Sequence, residues 1–313
     1  MTTRHPTNLP ASIHQRLLNQ AKQEKRPLQE LLQYFAIERF LYRLSRSPHA
    51  GKFLLKGALM LRVWDFPLAR PTLDVDLMGR ETVTEERLPT VLREIFAQEV
   101  PEDGVRFDAD SIRTQTIRVD ANYQGIRARF IAHIGNMKLP MQVDVGFGDA
   151  IVPGPVHIKF PVLLDFPQPE ILAYPPEMAV SEKFHAMVVL DTANSRTKDF
   201  YDIWTLARGR DFDGRILSRA IVATFNRRRT PLPTGVPVGL TSSFARDPMK
   251  QTQWNAFIRK GHLDTDGKTF EEIIAQIREF LVPPTLAVAS GERFVQHWPP
   301  GGLWGAGVAQ RND

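Results

Sequence analysis

The sequence predicts an α+β protein whose strands lie in the first half of the chain and whose helices dominate the second half. Short apolar runs with strand-like spacing recur between residues 53 and 147. From residue 176 to residue 281 the apolar side chains instead recur at helical spacing. A proline-rich segment, 160–176, separates the two patterns and indicates a linker or a domain edge. The predicted organisation is a first α/β domain with N-terminal helices over residues 1–165, a helical domain over 166–285 and a disordered tail over 286–313.

The composition is that of an ordinary globular protein and excludes several kinds of chemistry. The 313 residues are 42% hydrophobic and 24% charged, within the usual range for a folded domain. Basic residues exceed acidic ones by 40 to 35, and this mild excess suits a polyanionic partner without requiring one. The chain has no cysteine, which excludes disulfides, thiolate zinc sites and thiol nucleophiles. Because no long apolar run or apolar leader occurs, we expect a cytoplasmic protein that does not bind membranes.

Two helices are predicted before the first strand. Apolar residues between positions 11 and 23 follow helical spacing, and Ser12 can serve as the N-cap. Pro27 suits the first turn of a second, longer helix that runs to about Arg46. The apolar sides of both helices are expected to form core against the first strand.

The stretch from Phe53 to Met78 carries the first candidate site. It is predicted as a short strand, a turn at Gly57, one or two helical turns and a second strand that bears Asp74 and Asp76. Because strand residues alternate between faces, the two carboxylates project from one face, roughly 7 Å apart. Neighbouring carboxylates repel each other, and a divalent cation removes that repulsion. The alternative is that the two aspartates merely form the exposed face of an edge strand.

A third aspartate follows in the same half of the chain. The predicted elements are a helix over 85–98, strands over 105–107, 112–119 and 126–134, a turn over 135–138 and a strand over 139–147. Asp144 lies in the last strand between Val143 and Val145. A buried carboxylate is costly unless it is paired or bound to a metal, so Asp144 is a candidate ligand. Alternatively, it faces solvent on an alternating strand.

The helical half carries a second polar cluster. Its helices are predicted over 176–190, 197–208, 214–226, 247–259 and 270–281. Lys183 is a long cation on an otherwise apolar helix, and Asp199 and Asp202 share a helix face at i,i+3 spacing. Considered alone, these residues fit a pair of amphipathic helices with a solvated charged side.

Taken together, the polar residues resemble the successive motifs of the AbiEii/MenT-type nucleotidyltransferase toxins. The resemblance covers about Leu9 to Leu281. The matching positions in chain order are Lys56-Gly57, Arg70, Thr72, Asp74-Val75-Asp76, Asp144, Glu182-Lys183 and Arg196-x-Lys198-Asp199-x-x-Asp202. The sequence departs from the family at Ala58 and Leu59, where the family usually has glycine and then serine or threonine. The hydroxyl that would contact the triphosphate is therefore missing.

The resemblance implies a fold and an activity. The fold would be a nucleotidyltransferase-type mixed sheet with flanking helices, followed by a helical domain, with the nucleotide in the cleft between them. The activity would be that of a toxin that moves a nucleoside monophosphate from an NTP to RNA, which in the MenT branch is the 3′ end of tRNA. Mg²⁺ and a cognate antitoxin protein are the expected cofactor and partner.

We assign candidate roles on this basis under the hypothesis of a two-metal displacement. Asp74, Asp76 and Asp144 are the candidate metal ligands and catalytic carboxylates. Lys183 would neutralise the leaving pyrophosphate, and Asp199 would orient Lys183 or the nucleotide. The candidate nucleotide-binding residues are Lys56, Gly57, Ala58, Arg70, Thr72, Arg196, Lys198 and Asp202.

Two other functions are compatible with the same residues. The chain could be a catalytically weak module on the same fold that binds a nucleotide or a partner, which the missing hydroxyl at Leu59 makes conceivable. It could also be a transferase acting on a protein or a small molecule. Labelling of RNA from an NTP distinguishes the leading function from both.

Overall fold

The computed structural model describes residues 8–64, 72–120 and 123–306 and divides into two compact units. The first unit contains the described residues up to Gly148 together with Val156–Ala173. The second contains residues 149–155 and the chain from Tyr174 onwards. The predicted boundary after residue 165 therefore falls inside the first unit.

A seven-stranded mixed sheet forms the centre of the first unit. Its strands are β1 (Phe53–Lys56), β2 (Asp74–Gly79), β3 (Val105–Asp120), β4 (Tyr123–Ile134), β5 (Met137–Phe147), β6 (Val156–Lys159) and β7 (Glu170–Ala173). The spatial order is β3-β4-β5-β2-β1-β7-β6. The β2–β5 and β1–β7 pairs are parallel and the remaining pairs are antiparallel. This arrangement confirms the predicted mixed sheet.

The first unit has four α-helices among the described residues, and two of them pack on one face of this sheet. The four helices are α1 (Leu9–Glu24), α2 (Leu28–Arg46), α3 (Met60–Val63) and α4 (Leu88–Phe96). Phe40 of α2 and Phe96 of α4 meet Phe107 and Phe130 of the sheet, with ring centroids 4.8 to 6.4 Å apart. Packing of these four aromatic rings in one cluster fixes the sheet face that α2 and α4 cover.

Three details of the first unit differ from the prediction. Helix α1 begins at Leu9 and not after Ser12, because the Asn8 side chain accepts a hydrogen bond from the Ala11 N–H. The runs 105–107 and 112–119 form one strand, β3, with an irregularity between Asp108 and Arg113. Strands β6 and β7 were missed, and β7 lies within the proline-rich segment.

The second unit is mainly helical. Its helices are α5 (Pro176–Leu190), α6 (Thr197–Gly209), α7 (Gly214–Arg227), α8 (Ser242–Arg246), α9 (Pro248–Gly261) and α10 (Phe270–Ala289), and a short ribbon pairs β8 (Phe212–Asp213) with β9 (His297–Trp298). Large buried side chains of its core include Trp204, Phe225 and Phe280. Among the described residues, no helix is long and apolar enough to cross a membrane.

The C-terminal segment is ordered further than expected. Helix α10 continues through Pro283 and Pro284 to Ala289, beyond its predicted end at residue 281. Trp298 then buries its ring and donates a 2.7 Å hydrogen bond to the Ala207 carbonyl, and Trp304 donates to the Phe280 carbonyl at 2.9 Å. The disordered tail predicted from residue 286 is therefore wrong for residues 286–306, and residues 307–313 lie outside the described chain.

Candidate active site

The three candidate carboxylates lie on two adjoining strands of the first unit. Strands β2 and β5 run parallel, with Asp76 directly opposite Asp144 and Asp74 opposite Gln142. Cross-strand partners project from the same sheet face, and neighbouring strands are about 4.8 Å apart. Asp74 is exposed, Asp76 and Asp144 are half-buried, and the alternate residue Val75 is buried in the core. The sheet therefore brings all three carboxylates to one face.

A row of charged residues crosses four strands at the level of Asp76. Lys56 of β1 is opposite Asp76, Asp76 is opposite Asp144, and Asp144 is opposite Arg127 of β4. The row places the two central carboxylates between two cations. Opposite charges on neighbouring strands stabilise this pairing of the strands.

Arg127 binds Asp144 through both of its oxygens. Its Nε lies 2.8 Å from Oδ1 and its Nη2 lies 2.7 Å from Oδ2. These bonds hold the pKa of Arg127 above its ordinary value, and the negative charges of Asp74 and Asp76 raise it further. The bidentate geometry fixes both side chains. Asp144 is thus neutralised by a guanidinium from its own sheet.

Gly57 allows the turn after β1 to lie directly against Asp76. Its φ is +75°, a conformation that glycine adopts without strain. A Cβ added at this position would lie 2.7 Å from the Asp76 Cγ and would overlap the carboxylate. Both the backbone conformation and the close approach therefore require glycine here.

The remaining candidates from this stretch of the chain are Ala58, Arg70 and Thr72. Ala58 is buried within the short 3-10 turn Gly57–Leu59. The Thr72 N–H donates a 3.2 Å hydrogen bond to the Tyr34 hydroxyl. Arg70 lies outside the described residues.

Lys183, its predicted partner Asp199 and Asp202 form a compact ion cluster within the second unit. The Lys183 Nζ is 3.3 Å from Asp199 Oδ1 and 2.9 Å from Asp202 Oδ2. Both aspartate side chains are 1% exposed or less, and that of Lys183 is 14% exposed. Arg196 Nε donates to the second Asp199 oxygen at 2.5 Å. Helices α5 and α6 thus hold the ammonium at a fixed position against two buried carboxylates.

The basic residues near this cluster differ in exposure. The side chains of Arg196 and Lys198 are exposed. Arg228 belongs to the basic run at the end of α7 but is largely buried, within 4.0 Å of Asp149 and hydrogen-bonded to His185. It therefore has a structural role within the second unit.

Arg127 is the site residue that sequence reasoning missed, although a signal for it exists. A two-residue turn at Gly135-Asn136 joins β4 to β5, which fixes Ile134 opposite Met137. Counting back from that pair places Arg127 opposite Asp144. A hairpin register derived from the turn would have predicted the ion pair.

The donor set fits one divalent cation. Asp74 and Asp76 supply carboxylate oxygens on one face, and Mg²⁺ is usually bound by one or two carboxylates together with waters and substrate phosphates. The described residues contain no group of three or more metal-ligating side chains arranged around one point. Both oxygens of Asp144 accept hydrogen bonds from Arg127, so an ion bound at Asp144 would share the carboxylate with the guanidinium.

The chain is similar to a known protein family and to two solved structures, and the family agrees with the resemblance seen in the sequence. A family model described as "Nucleotidyl transferase AbiEii toxin, Type IV TA system" matches residues 39–276. Among solved structures, JHP933 from Helicobacter pylori is similar at 14% identity and a TM-score of 0.47, covering 84% of this chain and 95% of that chain. A candidate nucleotidyltransferase from H. pylori is 14% identical with a TM-score of 0.46, covering 85% and 99%. No curated protein sequence matches the chain.

Proposed function

Because the chain belongs to the AbiEii nucleotidyltransferase toxin family, we propose that it transfers a nucleoside monophosphate from an NTP to RNA, at the 3′ end of a tRNA. The family implies a nucleotide substrate and a cognate antitoxin. The observation that carries the proposal is the charged row in which Asp76 lies beside Asp144 on neighbouring strands, with Asp74 on the same face. Because the chain has no cysteine, carboxylates are the anionic side chains of this row that could bind a metal ion.

The proposed reaction is an in-line displacement at the α-phosphorus. The terminal hydroxyl oxygen of the acceptor forms the new bond to this phosphorus, and the bond to the bridging oxygen of the β-phosphate breaks. Pyrophosphate leaves with that electron pair, and the hydroxyl proton passes to a carboxylate or to water. When bound, Mg²⁺ supplies charge neutralisation on the phosphate oxygens and orients them.

In the first unit, the protein holds the carboxylates of Asp74 and Asp76 on one face, beside the turn at Gly57, where the main chain lies close to Asp76. Asp74 and Asp76 would bind the ion, and the turn at Gly57 would admit the triphosphate close to the main chain. Main-chain N–H groups of this turn would substitute for the hydroxyl that Ala58 and Leu59 do not provide.

Asp144 has a different proposed role from the other two carboxylates. In the two-metal form of the mechanism, Asp144 would bind an ion as well as Arg127. We favour a form with one ion, in which Arg127 supplies the second positive charge and Asp144 holds it in place. The two forms differ in the number of Mg²⁺ ions bound together with an NTP, which metal titration followed by calorimetry measures.

In the second unit, Lys183 is proposed to bind the phosphate charge that leaves with pyrophosphate. Asp199 and Asp202 would be positioning residues, because they contact the ammonium and are themselves buried. The predicted meeting of Lys183 with the carboxylates of the first unit stays a prediction.

The test is incubation of the purified protein with RNA, Mg²⁺ and each NTP, labelled in turn at the α- and γ-phosphate. Label from the α-position should enter RNA and label from the γ-position should not. Asp74→Asn and Asp76→Asn should each abolish labelling with the fold intact. Asp165→Asn, which changes a carboxylate that is 92% exposed in the same unit, is the matched control and should label normally.

Two outcomes would remove the proposal. If α-label enters a protein or a small molecule but not RNA, the acceptor is wrong. If an NTP binds and no acceptor is labelled, the chain is a nucleotide-binding module and not a transferase. Loss of labelling in EDTA, restored by Mg²⁺, is expected if the two aspartates bind the ion.

A further inference from the structure

One face of the outer strands of the sheet is rich in basic side chains, with Asp108 and Asp144 on the same face. On β3, β4 and β5, alternate residues such as Phe107 and Phe130 contact α2 and α4. The residues between them project from the opposite face. On that face the cross-strand register brings together five basic side chains, which we call the basic sheet face: Arg106, Arg113, Arg127, Arg129 and Lys138. Four of these five are exposed, and Arg127 is half-buried in its ion pair with Asp144.

Two arginines of this face lie directly opposite each other. Arg113 of β3 pairs in register with Arg129 of β4. Like charges at opposed positions of two strands destabilise the pairing. The Arg113 guanidinium donates to the main-chain carbonyls of Asp110 and Ile112, and Arg129 donates to the Gln142 amide oxygen at 3.2 Å. Within the described part of the chain, neither forms an ion pair. The two arginines concentrate positive charge at one level of this face, which suits an anionic ligand.

The same row of the sheet leads to a candidate catalytic carboxylate. Asp74 is opposite Gln142, Gln142 is opposite Arg129, and Arg129 is opposite Arg113. At about 4.8 Å for each strand, the Arg129 main chain lies about 10 Å from that of Asp74 and the Arg113 main chain about 14 Å. Because an arginine side chain is long, its guanidinium group can reach a ligand above the sheet that lies closer to Asp74 than the arginine main chain does. The anion site therefore begins within about one or two nucleotides of the proposed reacting end.

We propose that the basic sheet face binds the sugar–phosphate backbone of the RNA acceptor next to its reacting 3′ end, an inference that rests on the proposed function. Arginine matches this role, because its planar guanidinium binds two phosphate oxygens at once. The cross-strand rows that contain Arg113, Arg127 and Arg129 hold no aromatic side chain, so contact is with phosphates and not through base stacking. Binding at this face is accordingly independent of sequence and sensitive to salt.

The experiment measures binding of fluorescently labelled, unfractionated tRNA without any transfer step. The variant is Arg113→Ala/Arg129→Ala, and its matched control is Arg46→Ala/Arg93→Ala, which removes two exposed arginines from helices that cover the opposite face. Affinity is measured from about 50 to 200 mM salt, and each lost phosphate contact lowers the slope of log K against log salt by about 0.7 to 0.9. We expect the variant to lose about 1.4 to 1.8 from the slope relative to the control and to retain NTP affinity.

The outcomes distinguish this inference from the proposed function. An unchanged affinity and slope in the variant would overturn the basic sheet face as the RNA site, even if the wild type labels RNA. A reduced slope supports it, even if the wild type transfers nothing. If the variant binds tRNA as the control does but loses affinity for the purified antitoxin, the face is a surface for an acidic protein and the inference is wrong. Circular dichroism melting of both variants shows whether the sheet is intact.

Discussion

Replacement of Lys183 by alanine should destabilise the second unit as well as impair transfer. The ammonium lies within 3.3 Å of Asp199 and 2.9 Å of Asp202, whose side chains are almost completely inaccessible to water. Removing one partner of a buried ion pair leaves charge behind and typically costs about 3–5 kcal/mol. For a domain of roughly the size of this unit, about 2–4 °C of melting temperature is lost per kcal/mol, so the melting temperature of the unit should fall by roughly 6–20 °C.

The assay is differential scanning calorimetry of four proteins. The wild type and Lys183→Ala define the loss. Adding Asp202→Asn to the alanine variant removes one of the two buried charges and should restore part of the melting temperature. Arg246→Ala, which breaks an exposed pair with Glu271, is the control and should melt as the wild type does.

The result has a direct bearing on how the role of Lys183 is tested. If Lys183→Ala melts at the wild-type temperature, the ion cluster does not stabilise the unit and the reasoning is refuted. If it melts lower, a loss of transfer in that variant reports unfolding as well as chemistry. The contribution of Lys183 to transfer is then measured by comparing the double variant with Asp202→Asn alone, both well below their melting temperatures.

Three further changes test other parts of the structure. Burial raises the pKa of Glu38 to about 8, so the contribution of the protonated side chain to stability is full below pH 4.5 and is lost as the pH rises towards 8. In that window the difference in unfolding free energy between wild type and Glu38→Gln should fall by about 1.4 kcal/mol per pH unit. Denaturant titrations at several pH values that show a constant difference would contradict this expectation. Gly57→Ala should displace the Asp76 carboxylate and weaken Mg²⁺-dependent NTP binding by calorimetry, whereas Gly51→Ala, which meets no atom within 4 Å, should not. Trp298→Ala should cost about 3–5 kcal/mol of unfolding free energy, and a loss below about 1 kcal/mol would mean that the C-terminal segment contributes little.

Local patterns predicted most of the regular elements of this chain. Helices α2 and α5 have the predicted ends to within about one residue, because apolar periodicity and proline at the first turn act on neighbouring residues only. The strand that bears Asp74 and Asp76 was also recovered, since alternation alone places both on one face. Elements that depend on distant partners were missed. Strand β7 has four residues in a proline-rich segment and exists because β1 pairs with it.

The site shows the same division between local and distant causes. The i,i+3 spacing of Asp199 and Asp202 predicted their shared face, but not that both would be buried against Lys183, since that depends on the packing of α5 on α6. Similarly, Asp144 was identified as an acid that needs a partner. The partner is Arg127, seventeen positions away, and only the hairpin register connects the two. The C-terminal tail was misjudged because Trp298 and Trp304 find their contacts on α6 and α10.

The two-residue connection at Gly135-Asn136 makes the length of this hairpin a functional constraint. An insertion that moved β4 past β5 by a single residue would exchange the two faces of β4. The arginines of β4 would then enter the core, and Phe130 would face water. A polar loop at the surface ordinarily tolerates insertions well. In natural variants of this chain, however, the turn between β4 and β5 should keep its length of two residues even where the residue types change.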